Sequence, residues 1–208
     1  MDHYEQFESK FEFPLPESYR KLHARGCFDP RAFKPDNPLN STYLWIPVVE
    51  WWSFESILSY QVPKYHLPGF IPFANSEAGD LWCWVPAHSN GKQVPIAFCP
   101  NDYRLASLDA PDFSGWLFRR TFTYSLAPIE PDEVENRRLW FERWVADLST
   151  LLKPRWRIKL QEVSSLPLKS CQEAEKEIHF LVSSEEYLET IRREIRFPGL
   201  DQEIPWMV

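Results

Sequence analysis

The sequence predicts an α+β fold. Short segments rich in aromatic and β-branched residues follow one another in the middle of the chain, which is typical of strands joined by turns. Helical patterns come before and after this run and do not alternate with it, as they would in a βαβ fold. Hydrophobic residues make up 44% of the 208 residues, which is enough apolar material for a sizeable core.

Three elements are predicted before the run of strands. PLPESYRKLHARG predicts a short helix, because Pro16 suits the first helical position and Gly26 suits the position just past its end. TYLWIPVVEW is aromatic and β-branched and predicts a strand. Ser53 then offers an N-cap for a helix in FESILSYQ.

Four strands and a helix are predicted next. The strand segments are FIPFANS, GDLWCWVP, QVPIAFCP and YRLASLD. In the second of these, Trp82 and Trp84 face one side while Cys83 and Val85 face the other, so neither face is polar. We expect this strand to be covered on both sides or to lie beneath a partner. Asp112 offers a cap for a helix in the segment that follows.

The C-terminal part predicts a helix-strand-helix extension at residues 129–208, packed on a first domain at residues 1–128. Residues 131–154 form an amphipathic helical pattern that Pro154 ends. RWRIKLQEV alternates apolar and polar residues, which predicts a half-buried strand. Ser183 and Glu186 have the spacing of a capping box and predict a final helix with Leu188, Ile191 and Ile195 facing inward.

The charge of the chain favours some classes of partner over others. The formal net charge is −7, which disfavours a nucleic-acid binder because phosphate affinity needs clustered Lys and Arg. Residues 36–118 carry eight acidic and three basic residues, a local charge of −5. A local acidic excess attracts basic partners, although solubility alone is a second explanation.

Other features predict a cytoplasmic protein without a cofactor. The four Cys are widely spaced and form no CxxC pair, so we expect neither a disulfide framework nor a zinc site. The N-terminal MDHYEQFESKFEF lacks the apolar segment of a signal peptide, and no apolar run is long enough to span a membrane. No glycine-rich phosphate loop is present.

The polar segment NSEAGD at residues 75–80 lies between two predicted strands. It is interpreted as a plain turn, as an acidic loop that faces a partner, or as a metal or catalytic loop. The third interpretation needs a His that converges with Glu77 and Asp80, and His66 and His88 are the nearest candidates. Asn and Gly tolerate the positive φ of a turn, so turn chemistry by itself explains the composition.

Several phrases in the first part of the chain resemble the SUKH superfamily, named after a yeast cell-wall-synthesis regulator and its bacterial relatives. These phrases are FPLPESYRKLHARG, LWIPVVEWWSFESI, PGFIPFANSEAGDLWCWVP and PIAFCPNDYRLASLDAPDFSGWL. The resemblance covers about residues 10–126. Trp82 and Trp84 depart from it by making the central strand unusually aromatic, and the chain after about residue 130 has no counterpart in the basic domain.

The resemblance implies a twisted, mainly antiparallel sheet flanked by helices, and a role as a non-catalytic immunity protein. Bacterial members bind and block the toxins of polymorphic toxin systems, often nucleases, and eukaryotic members are similar to interaction hubs. We therefore expect an inhibitor that occludes the active site of a cognate toxin and is no enzyme. The alternatives are a regulatory scaffold without a toxin partner and a metal-dependent hydrolase that uses Glu77, Asp80 and His88.

The expected partner contacts combine acids with an aromatic anchor. Acidic side chains complement a basic toxin surface and mimic substrate phosphates if the toxin is a nuclease. Tryptophan is enriched at binding hot spots, and adjacent residues of an extended segment point to opposite sides, so one Trp of the adjacent pair faces outward. The expected contacts are Glu77, Asp80, Asp102, Asp109 and Asp112, with Trp51 or Trp52 as the anchor.

Overall fold

A computed structural model describes residues 2–34, 40–91, 93–173 and 176–208. The chain forms two compact units, one made of Met1–Trp116 with Phe197–Val208 and the other of Leu117–Arg196. The division into domains at residues 1–128 and 129–208 stays a prediction. No helix in the described part of the chain has the length and apolar character to cross a membrane.

The helices and strands follow the predicted order in most of the chain. The helices are α1 (His3–Phe11), α2 (Glu17–Ala24), α3 (Phe54–Ser59), α4 (Phe113–Thr123), α5 (Val134–Asp147), α6 (Pro154–Ser164) and α7 (Ser184–Ile195). The strands are β1 (Glu50–Trp51), β2 (Ile71–Asn75), β3 (Leu81–Trp84), β4 (Ile96–Cys99), β5 (Leu105–Ala110), β6 (Lys169–Glu173), β7 (Lys176–Phe180) and β8 (Glu203–Pro205).

The first unit is built on a six-stranded sheet with the strand order β1-β2-β3-β4-β5-β8. Every neighbouring pair of strands is antiparallel. Helices flank the sheet, and this confirms the predicted α+β class. The strand predicted at residues 42–51 is reduced to the two residues of β1, because a turn at Pro47 and Val48 interrupts it.

Both faces of β3 are buried within the chain itself, which is the first of the two arrangements predicted for this strand. Trp82 and Trp84 are at most 2% exposed, and the Trp84 ring centroid lies 4.6 Å from that of Phe73 and 5.0 Å from that of Tyr19. Cys83 and Val85 point to the opposite face. There they join a second apolar cluster that consists of Phe70, Cys83, Val85, Ala97, Cys99, Ala106, Leu108, Ile204 and Trp206.

The C-terminal segment closes the second apolar cluster, which the sequence pattern did not predict. β8 pairs with β5 at the edge of the sheet, and Trp206 follows it with 1% of its surface exposed. The Trp206 indole donates to the carbonyl of Tyr103 at 2.7 Å, and the Trp206 backbone N–H donates to the carbonyl of Arg104 at 3.1 Å. One side chain therefore fills the core and also holds the loop between β4 and β5.

The predicted strand at residues 155–163 is wrong, because this segment is α6. The helix buries Trp156, Leu160 and Val163, which are spaced by four and three residues and share one helical face. Ile158, which completed the apparent alternation, is 56% exposed. The strands of the extension are β6 and β7 instead, and they pair with each other as a hairpin.

Arg137 is a buried cation in the second unit, and backbone carbonyls surround it. Its guanidinium donates to the carbonyl oxygens of Tyr124, Ala127 and Pro128 at 2.8, 3.1 and 3.0 Å. It also lies 3.7 Å from the centroid of the Tyr124 ring. Burial lowers the pKa of Arg137. The side chain thus satisfies the carbonyl groups that connect α4 to α5.

We predict that Trp206→Ala destabilises the protein by about 3–5 kcal/mol, because it empties a core position and removes the indole N–H that donates to the β4–β5 loop. Trp206→Phe keeps an aromatic ring and loses the indole donor, so it costs about 1 kcal/mol. Urea unfolding monitored by circular dichroism measures both values. Val208→Ala, at a position that is 72% exposed, serves as the control and leaves the midpoint unchanged.

We predict that Arg137→Leu lowers the free energy of unfolding by about 2–4 kcal/mol, because it leaves buried carbonyl groups without a donor. Hydrogen exchange at residues 124–137 increases, since these bonds order the connection between two helices. Exposed Arg192→Leu on α7 is the matched control. Equal exchange rates in Arg137→Leu and the wild type contradict this assignment.

Candidate functional site

Several carboxylates lie at one end of the sheet, next to the first residue of β1 and the turn between β2 and β3. The strand register places them together, because Glu50 on β1 is the partner of Asn75 at the end of β2. Asn75 is in turn paired with Leu81, whose partner at the end of β4 is Cys99. We call this set the acidic edge, and it consists of exposed Glu50, Glu77 and Asp102 and half-buried Asp80.

The turn between β2 and β3 is held by its own polar groups. The Ser76 backbone N–H donates to the carbonyl of Asp80 at 2.9 Å, and the Gly79 N–H donates to the carbonyl of Ser76 at 2.9 Å. The Ser76 hydroxyl donates to Asp80 Oδ2 at 2.9 Å and accepts from the Asp80 N–H at 3.1 Å. Gly79 has a φ of +87°, a left-handed value that favours glycine.

Asp80 also connects this turn to the loop between β4 and β5. The backbone N–H of Asn101 donates to Asp80 Oδ1 at 3.1 Å, and the Asn101 side-chain amide donates to the carbonyl of Ala78. Both oxygens of the Asp80 carboxylate therefore accept hydrogen bonds that stabilise the fold. The bonds hold the two loops that carry Glu77 and Asp102, so that both exposed carboxylates are presented on a fixed frame.

Trp52 lies beside the acidic edge with its ring orientation fixed by Asn75. The indole N–H of Trp52 donates to Asn75 Oδ1 at 2.9 Å. The Asn75 amide donates to Glu50 Oε2 at 2.6 Å and to the carbonyl of Ser76 at 2.9 Å. The Trp52 ring also packs edge-on against Tyr60, with 5.7 Å between centroids. The half-buried indole thus borders the carboxylates without being free to rotate.

An open cleft of about 290 Å³ has Trp52 in its lining. His23, Asp29 and Glu55 are among its lining residues. Burial lowers the pKa of His23, while hydrogen bonds to its own backbone N–H and to Ser53 lower the pKa of Glu55. The cleft therefore places two carboxylates, those of Asp29 and Glu55, in one lining with Trp52.

Trp51 and Asp109 are buried, which corrects the expectation that these side chains contact a partner. Trp51 is 8% exposed, its indole donates to the carbonyl of Leu44 at 2.8 Å, and its ring centroid lies 4.3 Å from that of Phe28. Asp109 is 4% exposed. A side chain enclosed in this way cannot touch another protein while the fold is intact. Trp51 and Asp109 are therefore not candidate contacts.

Asp112 lies at the opposite end of the sheet from the acidic edge. The register pairs Ile96 at the start of β4 with Ala110 at the end of β5, so Asp112 follows the far end of that strand. Its Oδ1 accepts from the Gly115 N–H at 2.7 Å, as an N-cap of α4 does. Its Oδ2 accepts from the Gln93 side chain at 2.5 Å. This arrangement confirms the predicted cap and separates Asp112 from Glu77, Asp80 and Asp102.

The residues of the hydrolase interpretation do not converge. His88 lies in a short 3-10 turn after β3, whereas Asp80 lies directly before β3. The four residues of β3, which span about 13 Å, lie between the two positions in the chain. Across the ranges that the structure describes, no group of three or more His, Cys, Asp or Glu residues is arranged to hold a metal ion.

Two features of this edge were missed in the sequence. Glu50 is one of the eight acidic residues in the segment 36–118, and only the β1–β2 register shows that it lies beside the turn. Tyr103, next to Asp102, is 53% exposed, and its carbonyl is the acceptor for the Trp206 indole. A polar segment such as NDY predicts a turn but does not show that its aromatic ring faces solvent.

Comparisons with known proteins agree with this architecture. The sequence model of the SMI1 / KNR4 family (SUKH-1) matches residues 2–119, which is more than half of the chain. The match confirms the resemblance drawn from the sequence phrases. No curated protein and no solved structure gave a significant match. On the strength of the family match, the chain belongs to the SMI1/KNR4 family, SUKH-1.

Proposed function

We propose that this chain is an immunity protein that binds a cognate protein toxin and neutralises it by occluding its active site. Family membership supports a role in protein interaction, immunity-like or regulatory. The acidic edge is the observation that favours a basic partner, because Glu77 and Asp102 project from two loops that Asp80 and Asn101 tie together.

The proposed inhibition needs no chemistry from this chain. A fixed group of carboxylates attracts a basic surface over long range and pays little conformational entropy when the partner docks. If the toxin is a nuclease, its active site binds phosphates, and carboxylates at the acidic edge occupy the same basic groups. Trp52 supplies apolar contact area beside these charges, with its ring already oriented by Asn75.

The proposed partner is the toxin encoded beside this chain, and the proposed site of action is the cytoplasm. Co-expression of that toxin with this protein tests the function directly: the protein restores growth, and the two purified chains form a stoichiometric complex. If the protein neither protects cells nor binds the toxin, the immunity proposal is wrong. A pull-down from the native host followed by mass spectrometry then distinguishes a regulatory partner, which is the second candidate role.

We predict that Glu77→Lys combined with Asp102→Lys weakens toxin binding about tenfold or more, mainly by slowing association, because exposed charges act through long-range attraction. The affinity of the wild-type protein falls as salt rises, and that of the double variant falls less. Surface plasmon resonance at two ionic strengths measures both effects.

The control for charge reversal is Glu142→Lys combined with Glu189→Lys, at exposed positions of α5 and α7. It changes the net charge of the chain by the same amount and leaves the acidic edge intact, so we expect wild-type association. If toxin binding weakens equally in both double variants, the effect is due to net charge, and the acidic edge is not the binding site. Asp80 is left unchanged because its carboxylate holds the turn.

A further inference from the structure

The tight turn that leads into β1 carries an unusual residue. The Val49 N–H donates to the carbonyl of Ile46 at 3.1 Å, which closes a four-residue turn with Pro47 and Val48 at its centre. Val48 has a φ of +57°. Proline followed by a residue of positive φ is the signature of a type II turn, in which glycine or asparagine normally takes the second central position. A β-branched residue is strained there.

Val48 differs from the other non-glycine residues of positive φ in the described chain. These are Glu12, Arg196 and Asp201, and none of them is β-branched. Glu12 and Arg196 stand at the C-terminal ends of α1 and α7, where a left-handed residue commonly ends a helix. Helix termination does not explain Val48.

The residues around the turn hold it in place and leave Val48 in solvent. Leu44, Ile46 and Val49 are each at most 6% exposed. The Trp51 indole donates to the carbonyl of Leu44 at 2.8 Å and so bridges the two sides of the turn. Val48 itself is 60% exposed. The side chain thus adds no buried area to the core, although its backbone conformation is unfavourable.

We infer that Val48 is a partner contact, and that the turn presents it to an apolar recess of the toxin beside the basic surface that meets the acidic edge. This inference rests on the proposed function. Strained residues that their surroundings hold in place are a common feature of binding sites. Val48 stands two residues before Glu50, so apolar and acidic contacts come from one continuous segment. An apolar contact within a ring of charges is the usual organisation of a protein interface.

Val48→Asn separates folding from binding, because asparagine tolerates the left-handed conformation and is polar. We expect the urea midpoint of the isolated protein to rise, since the strain is relieved, and the affinity for the purified toxin encoded beside this chain to fall about tenfold or more. Val48→Ile keeps the branched apolar side chain, so it leaves both quantities close to wild type. Val62→Asn, at a position that is 44% exposed and outside the acidic edge, leaves toxin affinity unchanged.

The outcomes distinguish this inference from the function on which it rests. The first outcome is that the wild-type protein binds the toxin and that Glu77→Lys with Asp102→Lys weakens this binding, whereas Val48→Asn does not. In that case the contact at Val48 is wrong and the immunity proposal stands. If Val48→Asn weakens binding without raising the urea midpoint, the strain argument is wrong. If the wild-type protein does not bind the toxin, the proposed function fails and the contact fails with it.

Discussion

The burial of β3 on both of its faces is the constraint on which the rest of the first unit depends. Trp82 and Trp84 pack into one aromatic cluster, and Cys83 and Val85 pack into a second apolar cluster on the other side. A shift of one residue in the pairing of a strand exchanges the side chains on its two faces. In β3 such a shift puts indole rings where thiol and valine side chains now fit. The sizes of the side chains therefore fix the register.

The fixed register has a direct consequence at the end of the sheet. It brings the β2–β3 turn next to the β4–β5 loop, so that Asp80 can accept a hydrogen bond from Asn101. Trp206 adds a second restraint on the same loop by donating to the carbonyl of Tyr103. These hydrogen bonds attach the loops to the sheet and to its core. The loops that carry the exposed carboxylates of Glu77 and Asp102 are therefore held in fixed positions.

The acids of the middle of the chain divide into two groups by what their oxygens do. Asp80 and Asp112 accept bonds from neighbouring backbone N–H groups and belong to the fold. Glu77 and Asp102 are exposed at loop tips, where a partner can reach them. Loops on a rigid scaffold are a common location for binding residues. A surface of this kind suits a protein interaction that depends on shape and charge, in which a fixed arrangement lowers the entropy cost of association.

The sequence by itself determined the fold class, the cap at Ser53, the capping box of α7 and the apolar character of both faces of β3. These features depend on residues that lie close together in the chain. Local pattern failed at residues 155–163, where Trp156, Ile158 and Leu160 alternate as in a strand, whereas Trp156 and Leu160 also fit one face of a helix. Burial of Val163 with two of these residues identifies the helix, and burial is a property of the packed chain.

Only the tertiary structure decided which candidate contacts face outward. Trp51 and Trp52 are adjacent and chemically identical, yet one is enclosed against Phe28 while the other borders the acidic edge. Asp102 and Asp109 are seven residues apart in the sequence and lie at opposite ends of β5. Strand register, and a C-terminal segment that returns to pair with β5, set these positions. Both are long-range contacts, and no short stretch of sequence contains the two sides of such a contact.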